Sequence, residues 1–153
     1  MWIIVVLFHA TYMEKMTIKS QQAMQAAAQL AESKGNPTVD PLHLIYALLT
    51  QKDGIVPRVF SKAGANVGQM ISEGEAALEK KPSSEGSGIK VYPAKDLVDL
   101  FNQAEKDAKQ MGDSYISTEH FVLAAYRTAP TEVIQLFRNQ DVNVQKFLEV
   151  LTE

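Results

Sequence analysis

The chain has 153 residues, 46% of them hydrophobic, which suits one compact domain or two small ones and argues against global disorder. It contains no cysteine, so disulfide scaffolds, zinc–thiolate sites and thiol nucleophiles are excluded. With 15 basic and 18 acidic side chains, its formal charge of −3 gives no overall attraction to phosphate backbones and disfavours nucleic acid as a partner.

Residues 1–12 differ from the rest of the chain. Residues 2–8 form an apolar run that is far shorter than the about 20 residues of a membrane-spanning helix. A signal peptide requires basic residues before its apolar region, and none precedes this run. A short strand, an atypical leader and an extension outside the domain all fit this run. Because helical patterning begins only after Met13, we favour the extension, with Met13 as an alternative start.

From Met13 onward the chain repeats itself at an offset of 77 positions, without a gap. The identical pairs include Gly35 with Gly112 and His43 with His120, and other pairs, such as Val39 with Ile116, are apolar in both members. An internal repeat of this kind indicates a duplicated structural unit.

Each copy begins with a predicted helix. Apolar residues recur at helical spacing between positions 23 and 31, and again between 97 and 111. Gly35 and Gly112 follow these stripes, where a glycine in the left-handed conformation ends many helices.

The composition of the second helix in each copy predicts a place in the middle of the core. Asp40 and Ser117 are favourable N-caps, and Pro41 suits the first helical position. The segments 42–49 and 121–126 are apolar on nearly every side, which is typical of a helix enclosed by others.

Two further helices complete each copy. The third is predicted near residues 56–63 and 132–139, and the fourth follows the N-caps Asn66 and Asn143. Between the copies, the composition of residues 81–88 is that of a loop.

We see no strand pattern after residue 12. The sequence therefore predicts an all-α fold of about eight helices, a pseudo-twofold duplication of a four-helix unit. Repeat one covers about residues 17–80, repeat two covers about 93–153, and a loop over 81–92 joins them.

No motif for catalysis or nucleotide binding is recognisable. No glycine is followed by lysine, as a P-loop requires, and no Gly-x-Gly-x-x-Gly occurs. His43 and His120 each stand third after an N-cap, where the imidazole can accept from the N-cap N–H as the Glu of a capping box does. We therefore predict a structural role for both, and no metal site, since the spacing of a zinc-binding helix is absent.

The duplicated unit, with Asp-Pro-Leu-His-Leu at 40–44 and Ser-Thr-Glu-His-Phe at 117–121, resembles the amino-terminal domain of Clp-type ring unfoldases, most closely that of the ClpB disaggregases. The resemblance covers about residues 13–153. Further matching stretches are residues 16–21, 54–57, 96–98 and 112–117.

This resemblance implies a domain that is mobile on a linker above a hexameric ATPase ring and binds unfolded or aggregated polypeptide. It implies no catalysis and no cofactor in this chain, because ATP and Mg²⁺ belong to ATPase modules that would follow in a full-length protein. We therefore expect a fragment, an isolated domain or a truncated gene product, monomeric by itself and part of a homohexamer in its full-length context. We also expect a cytoplasmic protein with a cooperating chaperone and with neither nucleic acid nor membrane as a partner.

In ClpB-like proteins, substrate handling involves a threonine at the first helix, an aspartate after the glycine and an acid in the second cap region. Carried over by resemblance, the substrate-binding residues are Thr17, Asp113 and Glu119. Each also has a structural interpretation: Thr17 as a helix cap, Asp113 as support for the Gly112 turn, and Glu119 as a complement to the helix dipole. The second repeat also carries the acidic excess of the chain, which suits a solvated face or a basic polypeptide.

Two other functions compete with this interpretation. An adaptor-docking domain of a ClpC- or ClpA-type protease partner has the same fold but binds a folded protein. A small helical enzyme predicts instead a deep pocket with converging polar groups.

Overall fold

The computed structural model describes residues 10–84 and 91–153. The apolar run at 2–8 and the Gly/Ser-rich centre of the predicted loop, at 85–90, lie outside the described residues. Tyr12, the last residue of the predicted extension, packs edge-on against Phe101 with ring centroids 5.5 Å apart.

The described residues form nine helices and two very short strands, and the eight helices from α2 onward are those that the sequence predicts. In chain order, the elements are α1 (Ala10–Met13), α2 (Ile18–Ser33), β1 (Thr38–Val39), α3 (Pro41–Thr50), α4 (Ile55–Lys62), α5 (Val67–Glu79), β2 (Tyr92–Pro93), α6 (Lys95–Gln110), α7 (Thr118–Thr128), α8 (Thr131–Arg138) and α9 (Val144–Leu151). Helices α2–α5 form repeat one and α6–α9 form repeat two, which confirms the all-α duplicated fold.

The local signals for helix ends are confirmed. Asn66 and Asn143 cap α5 and α9 through their side chains. Gly35 and Gly112 have φ angles of 70° and 78° after α2 and α6, a conformation in which a Cβ atom would be strained.

A single core joins the two repeats. Helices α3 and α7 are buried on nearly every side, as their composition predicts. Phe60 and Phe137, which correspond at the offset of 77, stack with centroids 5.5 Å apart, and Phe147 packs 5.1 Å from Phe60. Because this aromatic cluster draws on both repeats, neither repeat encloses its own core.

The expectation of no strand after residue 12 is wrong. Strands β1 and β2 pair in parallel, with Val39 opposite Pro93, and an isolated parallel bridge pairs Met16 with Ile116. The two pairings correspond at the offset of 77. In each, the segment before the first helix of one repeat lies beside the segment before the second helix of the other. Pairings of one or two residues leave no alternating pattern in the sequence, because the partner strand and not the local composition defines them.

Candidate functional site

The bridge between Met16 and Ile116 forms one edge of the molecule. We call residues 15–18 and 111–119 the open edge. The Thr17 amide donates to the Ile116 carbonyl at 3.0 Å, and the Ile116 amide donates to the Lys15 carbonyl at 2.7 Å. Thr17 is thereby held beside Ile116, which lies three residues from both Asp113 and Glu119. The fold thus brings the three predicted site residues to one edge.

Thr17 caps α2. Its Oγ1 accepts from the Ser20 amide at 3.2 Å and donates to the Ser20 hydroxyl at 3.0 Å. The capping role predicted for Thr17 is therefore present, and one acceptor position of the hydroxyl is left for another donor.

Asp113 is held by a buried histidine. The Ser117 amide donates to Nδ1 of His120 at 2.8 Å, which confirms the predicted capping box and places the proton on Nε2. Nε2 then donates to Oδ2 of Asp113 at 2.9 Å. His120 is completely buried, whereas about half of the Asp113 side chain is exposed. Among the described residues nothing donates to Oδ1 of Asp113, so this oxygen is available to a ligand.

Glu119 lies in the first turn of α7 and is partly exposed. Within residues 10–84 and 91–153, its carboxylate has no ion pair or side-chain hydrogen bond. Its position suits the positive end of the helix dipole, and its charge adds to that of Asp113 on the same edge.

The corresponding edge of repeat one has the same construction. The Asp40 amide donates to Nδ1 of His43 at 2.8 Å, and Nε2 of His43 bonds Oδ1 of Asn36 at 2.9 Å. Burial lowers the pKa of His43 to about 4, so this imidazole is neutral at physiological pH. Asn36 corresponds to Asp113 at the offset of 77, but it is buried.

A stretch of the inter-repeat loop covers this second edge. We call residues 34–40 the covered edge and residues 81–84 the cover. Nζ of Lys81 contacts Oδ2 of Asp40 at 2.7 Å and Oε1 of Glu132 at 2.8 Å. Burial alone would lower the pKa of Lys81, but the hydrogen bonds to these two carboxylates outweigh burial and raise it. The cation therefore ties the cover to both repeats.

The space beside the two glycine turns differs between the covered edge and the open edge. A Cβ atom added to Gly35 would come within 2.9 Å of the Ser84 carbonyl oxygen, whereas one added to Gly112 would meet no described atom within 4 Å. The chain thus closes against one turn and leaves the other accessible among the residues that the structure describes.

The open edge also presents apolar side chains that sequence reasoning missed. Ile18, Met111 and Tyr115 are 67%, 48% and 56% exposed. Their counterparts at the offset of 77 are all polar, namely Lys95, Lys34 and Thr38. A comparison of apolar with polar pairs across the repeat would have found them.

The geometry does not favour the enzyme hypothesis. Both histidines on which it depended are buried in capping boxes, one in each repeat. A hollow of about 410 Å³ lies between α2 and α3, and neither a histidine nor any predicted site residue lines it. Across the described ranges, no group of three or more His, Asp or Glu side chains is placed to hold a metal ion, and no helix has the length and apolar character to cross a membrane.

Comparison of the sequence with known proteins gives a matching family and similar chaperones. The family described as "Clp repeat (R) N-terminal domain" matches residues 15–140. The chaperone protein ClpB of Bdellovibrio bacteriovorus is 42% identical over 138 residues, which cover 90% of this chain and 16% of that protein.

Two solved structures extend the likeness to the fold. The Hsp104 N-terminal domain from Candida albicans superposes with a TM-score of 0.79 at 20% identity, covering 91% of this chain and 90% of that one. A ClpV N-domain in complex with a VipB peptide gives a TM-score of 0.70 at 21% identity, covering 86% and 82%.

Proposed function

The chain belongs to the Clp repeat N-terminal domain family and is the N-terminal domain of a ClpB-type chaperone. From this premise we propose that it binds unfolded or aggregated polypeptide at the open edge, on behalf of an ATP-dependent disaggregase. The observation that carries the proposal is that the exposed residues Ile18, Met111 and Tyr115 lie on the same edge as the carboxylates of Asp113 and Glu119.

The chemistry of the open edge suits unfolded clients. An unfolded chain exposes apolar side chains, and burial of these against an exposed apolar surface is favourable without strong sequence preference. The carboxylates of Asp113 and Glu119 disfavour acidic segments and favour neutral or basic ones. A solved ClpV N-domain of similar fold is in complex with a peptide, which supports polypeptide as the class of ligand.

Weak binding is an advantage in this function. A client that is handed to a translocating pore has to leave the domain, and a small apolar surface holds it only loosely. In a full-length homohexamer, six tethered domains convert weak contacts into avidity. This chain spans 16% of the length of its ClpB relative, and we assign ATP, Mg²⁺ and any catalysis to the remainder of such a protein. The proposal also places the full-length protein in the cytoplasm, where it works together with a cooperating chaperone.

The proposal is tested by fluorescence anisotropy with reduced, carbamidomethylated ribonuclease A, which is unfolded and basic. We expect saturable binding, and no binding of native ribonuclease A. Thr17→Ala, Asp113→Ala and Glu119→Ala should each weaken binding by about two- to fivefold, the effect of one exposed polar contact. The control Val144→Thr replaces an exposed apolar residue of α9 and should bind as the parent does.

Two results would count against the proposal. Unchanged affinity in all three alanine variants would remove the open edge as the site. Saturable binding of a folded adaptor protein, without binding of the unfolded protein, would favour the adaptor-docking alternative.

A further inference from the structure

The cover of repeat one is itself a polypeptide segment bound at an edge of this domain. Residues 82–84 lie outside any helix or strand, and two of them bond to repeat one through main-chain atoms, whereas Lys81 is held by its side chain. The Ser84 amide donates to the Gly35 carbonyl at 2.9 Å, and Nδ2 of Asn36 donates to the Pro82 carbonyl at 3.0 Å. The Ser83 hydroxyl donates to the Lys34 carbonyl at 3.1 Å.

The open edge reproduces the turn that holds the cover. The Gly35 and Gly112 amides each donate to the carbonyl three residues earlier at 3.1 Å. The amides of Asn36 and Asp113 each donate to the carbonyl five residues earlier at 2.9 Å. Since the same hydrogen bonds fix both turns, the Gly112 carbonyl has the same local setting as the Gly35 carbonyl. No described residue donates to it.

Two differences between the edges define what the open edge accepts. Asn36 donates to a carbonyl of the cover, whereas the Asp113 carboxylate can only accept, so its partner must be a donor, and the donor that every non-proline residue of a polypeptide offers is the backbone N–H. The cover is polar, with the sequence Lys-Pro-Ser-Ser, and it lies on an edge with Lys34 and Thr38. The same positions of the open edge carry Met111 and Tyr115, which match an apolar chain.

We infer that the open edge takes an extended, apolar segment of a client polypeptide, docked through its backbone as the cover is docked on repeat one. One client N–H donates to the Gly112 carbonyl, and another donates to Oδ1 of Asp113. Client apolar side chains pack against Ile18, Met111 and Tyr115. This inference rests on the proposed function and specifies the form in which the polypeptide binds.

Backbone methylation of a peptide probe tests this mode. The probe is a fluorescein-labelled peptide of alternating leucine and threonine that ends in arginine for solubility. Two further versions carry N-methyl groups at every leucine or at every threonine, which removes N–H donors and keeps the side chains. We expect at least one methylated version to bind about tenfold more weakly, the effect of losing one or two hydrogen bonds of ordinary net strength. Equal binding of all three peptides would overturn backbone docking.

A double variant tests the apolar part of the site. Met111→Lys combined with Tyr115→Thr gives the open edge the side chains that repeat one has at the same positions. We expect about tenfold weaker binding of the unmethylated peptide, because two apolar contact surfaces are lost, and no change for Val144→Thr. Far-ultraviolet circular dichroism checks that both variants are folded. Unchanged affinity of a folded double variant would overturn the assignment of the apolar contacts.

The outcomes separate this inference from the proposed function. If neither the peptide nor unfolded ribonuclease A binds, the proposed function fails. If both bind but methylation has no effect, only the backbone mode fails.

The apolar run near the start of the chain is an alternative occupant that the test has to separate from a client. Residues 4–7, Ile-Val-Val-Leu, correspond to the cover at the offset of 77. Binding of the unmethylated peptide by a chain that begins at Met13, without binding by the full chain, would assign the edge to this segment and overturn docking of a separate client on the full chain. Equal binding by both chains would support the client.

Discussion

The covered edge and the open edge are built on the same backbone and differ in what lies against them. Both contain a glycine turn and a helix that starts with an imidazole capping box. On repeat one, Lys81 links Asp40 to Glu132 and holds the cover over a buried Asn36. On repeat two, Asp113 at the same position remains exposed beside Tyr115 and Met111. The two edges thus share one backbone frame, and among the described residues only the edge of repeat one is covered.

The comparison also separates shared from distinct features. The aromatic stack of Phe60 on Phe137 and the two strand exchanges belong to both repeats equally. Among the described residues, the cover lies over the edge of repeat one alone, although its Lys81 pairs with a carboxylate of each repeat. Substitution of corresponding residues therefore tests whether the two repeats contribute equally to the free energy of unfolding.

The largest expected effect concerns the shared core. Phe60→Ala and Phe137→Ala should each lower the free energy of unfolding by about 3–5 kcal/mol, because each removes a buried ring and leaves a cavity. Urea denaturation measures both, with Val144→Ala as the exposed control. Costs that differ by more than about 2 kcal/mol would break the energetic equivalence of the two repeats.

The next effect depends on pH and belongs to repeat one. Burial lowers the pKa of His43 from 6.5 to about 4, so between these pH values the unfolded chain binds more protons than the folded one. The contribution of His43 to stability is therefore complete above about pH 6.5 and is lost as the pH falls toward 4, up to about 3 kcal/mol. Urea denaturation at a series of pH values measures this loss.

The control for this prediction keeps the cap. Gln at the third helical position can complete a capping box, so His43→Gln should retain the start of α3 and reduce the loss of stability below pH 6.5. His120→Gln, which leaves His43 in place, should keep that loss. An unchanged pH dependence in His43→Gln would contradict the role given to burial of His43.

The smallest effect concerns the ion pairs of the cover. Lys81→Met leaves two partly buried carboxylates without their cation and should lower the free energy of unfolding by about 1–2 kcal/mol. The matched variant Lys15→Met breaks the more exposed pair with Glu105 and should cost less than about 1 kcal/mol. Chemical denaturation at neutral pH compares them. Equal costs would mean that the cover is not held more firmly than an ordinary surface pair.

Much of the fold could be predicted because its signals are local. The helical spacing of apolar residues, the N-caps Asn66 and Asn143, and the glycines after α2 and α6 act within a few residues of the chain. The histidines gave the most detailed prediction, since a capping box is complete within four residues. Thr17, Asp113 and Glu119 came from resemblance. The structure brings them to one edge, and their part in binding remains a prediction.

The apolar part of the site was missed for a different reason. Ile18 and Tyr115 are single apolar residues next to helix ends, where exposure cannot be deduced from periodicity. The helical spacing placed Met111 in the apolar stripe of the first helix of repeat two, and this was wrong, because Met111 caps the exposed end of α6. Their meaning appears only when each is compared with its polar counterpart in the other repeat and with the position of the cover.

The duplication, the eight helices and the way in which the central helices begin follow from the sequence alone, because these depend on short-range periodicity and capping. The exchange of short strands between the repeats and the closure of one edge by the loop became visible only in the folded molecule. Those outcomes depend on contacts between segments far apart in the chain, such as Lys81 with Asp40 and Glu132. Contacts of this kind follow from how the two repeats pack together, and local composition does not encode them.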